Sequence, residues 1–192
     1  MHMFLRRQLV HYRIYVVEQV DSRPFNTAKL MNIGALTAMR AGYPCLILHD
    51  VDLLPLRPAN LYACTKLPRH MSASINKFRF VLPYLNILNG VISIASEQFK
   101  QVNGMSNDYF GWSGENYDFY ARLEKCDIKV IRFEPKTSQY YMFSQIKQRD
   151  VFFSNLLNHG ANGRPNDGLS SLKYTEVATV LHPLFTHIMV DL

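Results

Sequence analysis

The chain divides into short blocks according to the spacing of its apolar residues. Residues 12–17 (Tyr-Arg-Ile-Tyr-Val-Val) are β-branched and aromatic and predict a strand. Residues 21–25 break it, and Asn26 is placed to cap a helix. Leu30, Ile33 and Leu36 recur at that helix's 3.6-residue spacing, and Gly42 ends it. The wholly apolar run 45–48 (Cys-Leu-Ile-Leu) suits a strand buried on both faces of a largely parallel sheet. The chain therefore opens β-α-β. His49-Asp50-Val51-Asp52 falls at the carboxyl end of the second strand, where ligands gather in such sheets.

Further on, residues 71–75 predict a strand, Asn89-Gly90 a turn, and 91–95 a strand leading into a helix capped by Ser96, with Glu97 in its first turn. Asn103-Gly104 stops that helix. A helix from Glu115 to about Cys126, a strand over 129–133 and two closing strands over 172–180 and 185–190 complete the pattern. The stretch from about 145 to 168 is polar and irregular, with turn signals at Asn162-Gly163 and Arg164-Pro165, and predicts a mobile loop.

Length and composition narrow the class. A chain of 192 residues, 48% hydrophobic and 19% charged, can bury one substantial core and predicts a single domain over 1–192. No window approaches the ~18 to 20 apolar residues of a membrane span, and the first residues lack the apolar core of a signal peptide. The excess of 21 Lys and Arg over 15 Asp and Glu suits an anionic ligand. That charge is dispersed, with Arg6-Arg7 the one adjacent basic pair, which argues against a nucleic-acid partner. Three cysteines fit neither a zinc site nor a disulfide-dense scaffold.

Candidate chemistry begins with Asp50-Val51-Asp52. Sugar transfer from a nucleotide donor releases a diphosphate, whose growing charge calls for a hard cation held by carboxylates. Two Asp separated by one residue at a strand end can ligate that metal and orient the nucleotide. The alternative is a pair of solvated turn carboxylates. A second constellation is Gly111-Trp112-Ser113-Gly114-Glu115-Asn116, which combines hinging glycines, a flat apolar ring to face a sugar and a carboxylate at a helix start. Its alternative is an aromatic loop packed on the core. Residues 159–167, with His159 and Asp167 at the ends, read as a polar surface loop. His49, His70, His182 and His187 show no metal-ligand spacing and read as structural.

Taken together, several stretches resemble the β-1,4-galactosyltransferase family, including its N-acetylgalactosaminyl-transferring relatives. They are Phe25-Asn-Thr-Ala-Lys-Leu-Met-Asn-Ile-Gly34, Asp50-Val-Asp-Leu-Leu-Pro55, Pro68-Arg-His70, Lys77-Phe78, Leu82-Pro-Tyr84, Gly90-Val91, Trp112, Gly114-Glu115, Asp167-Gly-Leu169 and Ser171-Leu-Lys-Tyr174. The resemblance implies a GT-A type α/β fold, a mostly parallel central sheet flanked by helices. It implies an inverting, Mn2+-dependent transfer of galactose or N-acetylgalactosamine from a UDP-sugar to O4 of a terminal GlcNAc-type acceptor.

Residue by residue, the resemblance puts Asp52 and Met142 in metal-ligand positions. Phe25, Asp50, Val51, Lys77, Tyr84 and Gly90 fall on the donor, Trp112 in the mobile loop over the donor sugar, and Glu115 at the acceptor. Phe153 would line the acceptor pocket. Cys45 and Cys64 match a family disulfide, which implies an oxidising compartment, the Golgi lumen.

The departures also carry expectations. Gln145 stands where the family has a metal-binding His, and Asn116 where it has the catalytic base, so both predict impaired activity. Thr27 replaces an Arg. The family's first strand and its Pro-Phe-Arg-x-Arg segment would lie upstream of Met1, as would any membrane anchor. Ile87, where related galactosyltransferases carry a Tyr, leaves room for an acetamido group and implies tolerance of UDP-GalNAc. The alternative to an active transferase is a glycan- or partner-binding pseudoenzyme.

Overall fold

A computed structural model describes residues 1–111, 114–143 and 166–192. The short helix α1 (His2–Arg6) leads into β1 (Tyr15–Gln19), followed by α2 (Thr27–Arg40), β2 (Cys45–His49) and β3 (Leu53–Pro55). Two-residue strands β4 (Arg69–His70) and β5 (Ser74–Ile75) come next, then a 3-10 turn (Asn76–Phe78), β6 (Val91–Ala95) and α3 (Ser96–Gln101). The chain closes with α4 (Glu115–Lys125), β7 (Gln139–Met142), a second 3-10 turn (Leu169–Ser171), β8 (Thr175–Leu181) and β9 (Thr186–Asp191). Among the described residues no helix is long and apolar enough to cross a membrane.

The α2 helix organises the interior. Asn26 caps it, its side chain accepting from the Lys29 N–H at 2.9 Å. Ala28, Ala35 and Ala38 pack with Leu46, Leu48, Ile94, Phe99, Phe119 and Leu123 in the main core. Leu30 and Ile33, on another strip of the helix, pack with Ile188, Val190 and Leu192 of the β9 end. Gly34 permits close approach to β1, since a Cβ there would lie 3.2 Å from Val17 Cγ2. A third cluster, with Leu53, Met71, Ile75, Val91 and Tyr140, sits under β3, β5 and β7. Each fully buried large side chain contributes about 1.5–3 kcal/mol.

The α/β class holds, but the mostly parallel central sheet does not. The described strands form three three-stranded sheets, ordered β1-β9-β8, β2-β6-β4 and β3-β7-β5. Only β1–β9 and β5–β7 are parallel; β2–β6, β4–β6, β3–β7 and β8–β9 are antiparallel. An apolar run reports burial and not direction. In β2, moreover, burial alternates, Leu46 and Leu48 pointing inward while Cys45, Ile47 and His49 are half-buried.

Two local expectations also change. Residues 129–133 form no strand beyond one bridge, Ile131 with Arg69, because the facing strand β4 is two residues long. Ser96 is the first residue of α3 and not its cap: its hydroxyl donates to the Tyr43 carbonyl at 2.6 Å, and Gln98 Oε1 accepts the Ala95 N–H instead.

Candidate active site

Where β2 ends, the chain turns sharply. The Asp50 N–H donates to the Gly90 carbonyl at 3.0 Å, and the Leu53 N–H returns to the Asp50 carbonyl at 3.3 Å. Gly90 has φ +88° and its Cβ position lies 2.6 Å from Ser72 Oγ, so no larger residue fits there without strain. Val51, at the tip, is 94% exposed, while Asp50 and Asp52 are half-buried. Desolvation, reinforced by the neighbouring carboxylates of Asp52 and then Glu115, pushes Asp50 up to about 7.

Glu115 is thus near enough for its charge to act on Asp50. It occupies the first turn of α4, where the helix macrodipole favours a carboxylate. Gly114 precedes it in the left-handed conformation, at φ +53°, against the Tyr109 ring. The Asn116 amide donates to Glu115 Oε1 at 3.3 Å, so the residue at the base position serves as a donor to its neighbour.

The other side of the turn is built by β3 and β7. Leu53 pairs with Met142, and the Phe143 N–H donates to the Asp52 carbonyl at 2.9 Å. The Met142 N–H donates to Asn76 Oδ1 at 2.7 Å, which anchors the 3-10 turn carrying the exposed Lys77 beside β7. Asp50, Asp52, Gly90, Lys77, Glu115 and Met142 therefore gather at one edge. Phe25, 51% exposed, joins through its carbonyl, which accepts the Gly111 N–H at 2.6 Å and so ties the start of α2 to the loop before α4. Among the described contacts, Tyr84 and Ile87 are not joined to the turn. Tyr84 is exposed, and the Ile87 carbonyl is held by Arg132 Nη2 at 3.3 Å. Trp112, Gln145, Phe153 and His159 lie outside the described residues, as does most of the predicted loop over 145–168.

Among the described residues no three His, Cys, Asp or Glu side chains cluster as a ready metal site. Asp52, one residue before β3, is held to the end of the β7 strand by backbone pairing, and together with Met142 it offers one hard carboxylate and one soft thioether near the turn. Burial first, and then the neighbouring carboxylates of Asp52 and Glu115, raise Asp50, and a divalent cation would offset both, so these residues fit such a metal.

Cys45 and Cys64 form a disulfide that fastens the start of β2 to the loop after β3, their Cα atoms 5.6 Å apart. Two polar clusters escaped the sequence reading. Asp167, expected on a polar surface loop, is buried: Ser106 Oγ and the Asn107 N–H donate to its carboxylate, and Arg122 Nη2 pairs with it at 3.2 Å. Beside the Asp50 turn, Tyr140 donates to Tyr62 and Tyr62 meets His49, both at 2.9 Å. Burial holds both phenols above their ordinary range, so they stay protonated. Only the Pro-Asn-Asp-Gly composition at 165–168 hinted at the first cluster, and nothing local signalled the second.

Comparisons with known proteins identify the family. Residues 1–65 match the sequence model for the N-terminal region of glycosyl transferase group 7, and residues 69–146 that for the N-terminal domain of galactosyltransferase. Beta-1,4-galactosyltransferase 2 of Cricetulus griseus is 37% identical over 199 residues, covering 100% of this chain and 54% of that protein. Beta-1,4-galactosyltransferase 4 of the same species is 38% identical over 196 residues, covering 100% and 57%. The chain thus spans about half the length of these curated relatives.

Among solved structures, the catalytic domain of Drosophila beta1,4galactosyltransferase 7 in complex with xylobiose superposes with a TM-score of 0.85 at 30% identity, covering 100% of this chain and 84% of that one. An Asp-to-Asn mutant of that Drosophila enzyme, in complex with manganese, UDP-Gal and xylobiose, gives a TM-score of 0.83 at 29% identity, with the same coverage. On the matched sequence models and the shared GT-A-type fold, the chain belongs to the β-1,4-galactosyltransferase family of group 7 glycosyltransferases.

Proposed function

We propose that residues 1–192 form one catalytic-type domain that binds a UDP-sugar and transfers its galactose or N-acetylgalactosamine, with inversion, to O4 of a terminal GlcNAc-type acceptor. The observation that carries this reading is the Asp50–Asp52 turn, clamped by the β7 strand through the Leu53–Met142 pairing and the Phe143–Asp52 backbone bond, with the Glu115 charge acting on Asp50. Binding of manganese, UDP-Gal and xylobiose by the Drosophila relative supports it.

In this reading Asp52 and Met142 hold Mn2+, with Gln145 completing the set more weakly than a His would. The bound cation would supply charge neutralisation for the departing diphosphate. Asp50 and Val51 orient the nucleotide, with Phe25, Lys77, Tyr84 and Gly90 along the donor. Glu115 accepts a hydrogen bond from the acceptor hydroxyl, Phe153 flanks the acceptor, and Trp112 covers the donor sugar and excludes water. Ile87 leaves space at the sugar's C2, so UDP-GalNAc is accepted at least as well as UDP-Gal. The Cys45–Cys64 bond suits an oxidising compartment such as the Golgi lumen.

A second reading, a binding-only relative, is favoured by one observation. Asn116 cannot take the acceptor proton, and its amide is engaged with Glu115. Titration of UDP with and without Mn2+, followed by product analysis with both UDP-sugars and a GlcNAc acceptor, separates the two. Mn2+-dependent UDP binding with turnover supports the transferase, and binding without turnover the pseudoenzyme. Absence of both turnover and Mn2+-dependent UDP binding overturns the transferase and leaves the glycan- or partner-binding relative.

A further inference from the structure

The hydrogen-bond chain beneath the Asp50 turn runs in one direction. The Asp50 carbonyl can only accept, so His49 Nδ1, 2.8 Å away, carries the proton and donates. Tyr62 receives the Tyr140 hydroxyl proton at 2.9 Å, which leaves its own hydrogen for His49 Nε2, also at 2.9 Å. Each member is held independently. Tyr140 is fully buried on β7, two residues before Met142. Tyr62 lies two residues before the Cys45–Cys64 crosslink, and its N–H donates to Gln8 Oε1 at 2.8 Å. The His49 ring also lies tilted against Tyr62 and edge-on to Tyr140, with centroids 5.9 and 6.3 Å away.

At the far end, the only other bond given to the Asp50 carbonyl among the described residues is the long 3.3 Å turn bond from Leu53. A neutral imidazole at 2.8 Å is the shorter hold on this peptide. We propose that His49 is a positioning residue: the chain Tyr140–Tyr62–His49 locks the Asp50 carbonyl, and with it the orientation of the Asp50 and Asp52 side chains, relative to Met142 on the strand that carries Tyr140. The inference rests on the reading of Asp52 and Met142 as metal ligands for its effect on affinity, but its effect on the backbone is independent of any metal. Groups that orient a site from behind the ligands characteristically change metal affinity by about 10- to 100-fold.

The test uses the whole chain with Mn2+ and UDP as probes, in wild type and in His49→Leu, His49→Gln and Tyr62→Phe. Free Mn2+ is followed by electron paramagnetic resonance, and amide hydrogen exchange is read at Asp50 and Leu53. His49→Leu is expected to weaken Mn2+ binding about tenfold and to speed exchange at both amides, leaving the amides of α2 unchanged. His49→Gln, whose amide can both donate to the Asp50 carbonyl and accept from Tyr62, is expected to restore most of the affinity, which simple packing would not. Tyr62→Phe removes one hydroxyl and serves as the readout if His49→Leu does not fold. Unchanged exchange at Asp50 and Leu53 in Tyr62→Phe and in any folded His49→Leu overturns the proposal, whatever the metal does. Should wild type bind no Mn2+ with UDP, the metal reading fails, while faster exchange in the variants still upholds the brace.

Discussion

The Phe143 N–H donates to the Asp52 carbonyl at 2.9 Å, and through this bond the strand carrying Met142 grips the backbone of the acidic turn. The two candidate ligands are thus set by backbone pairing, Leu53 opposite Met142, before any side chain is considered. Met142→Leu keeps the volume and the half-buried packing, so stability should change by less than about 1.5 kcal/mol. Mn2+ affinity in the presence of UDP should nevertheless fall by about tenfold. Paired thermal melts and Mn2+ titrations check this; an unchanged affinity removes Met142 from the ligand set.

Burial and Arg132 decide the behaviour of His70. Its Nε2 donates to the Asn89 carbonyl at 2.9 Å and its Nδ1 accepts from Arg132 Nε at 3.1 Å, so both ring nitrogens are satisfied only when the ring is neutral. Burial first, and the Arg132 charge second, lower His70 to about 4. In the unfolded chain the ring takes its proton near pH 6.5. The stabilisation is therefore fully present above about 6.5 and is lost as pH falls towards 4, a total of about 3 kcal/mol. Urea unfolding between pH 7 and 4 should show this slope, and His70→Gln should flatten it.

How much of this was readable in sequence depends on the range of the interaction. The Asn26 cap, Leu30 and Ile33 of the α2 stripe and the β2 run into Asp50 are encoded within a few neighbouring residues and appear where the pattern put them, whereas Leu36 is only half-buried and Ala28, Ala35 and Ala38 meet the main core instead. Strand direction is not local. Cys45 to Leu48 specifies a buried segment, and only its partner β6, some 45 residues on, makes it antiparallel. The 129–133 strand failed because β4 offers two residues to pair with. Asp167 looks like a polar surface residue and His49 like a structural histidine with no visible partner, until chain closure brings Ser106 and Arg122 against the one and Tyr62, bonded to Tyr140, against the other.

Gly168 lies at the Asp167 cluster with φ +137°, and a Cβ there would collide with the Asn103 carbonyl. Backbone atoms cannot swing aside as a flexible side chain can. Gly168→Ala should therefore cost about 3 kcal/mol or more, combining strain in a glycine-only region with the clash. Asp167→Ala leaves the Ser106 hydroxyl and the Asn107 N–H without their acceptor, while Arg122 keeps Asp118 at 2.6 Å, so it should cost about 2 kcal/mol. Denaturant midpoints decide it, and a loss under 1 kcal/mol in either variant would show that this cluster is not structural.

Reduction of the Cys45–Cys64 bond opens a loop whose ends are 19 residues apart in sequence. Loop-closure entropy for that length is about 3 kcal/mol. Because the loop also carries Tyr62, reduction should raise exchange at the Asp50 turn along with lowering the melting temperature. A Cys64→Ser variant measured beside the reduced wild type checks both effects.

Asn116 offers the sharpest test of activity. Its amide donates to Glu115 Oε1, so Asn116→Asp replaces a donor with an acceptor and adds a fourth carboxylate to Asp50, Asp52 and Glu115. Without metal the variant should be less stable, by about 0.5–1 kcal/mol at this partly solvated helix start. With Mn2+ and a UDP-sugar bound, much of that repulsion is neutralised. The new carboxylate then stands beside Glu115 as a group able to take the acceptor proton. General-base catalysis contributes about 10²- to 10⁴-fold, so turnover onto a GlcNAc acceptor should rise by at least a hundredfold if only the base is missing. A gain that appears only when Gln145→His is added would trace the defect to the metal as well. No gain in the double variant, with UDP still binding, would assign the chain to recognition and not to transfer.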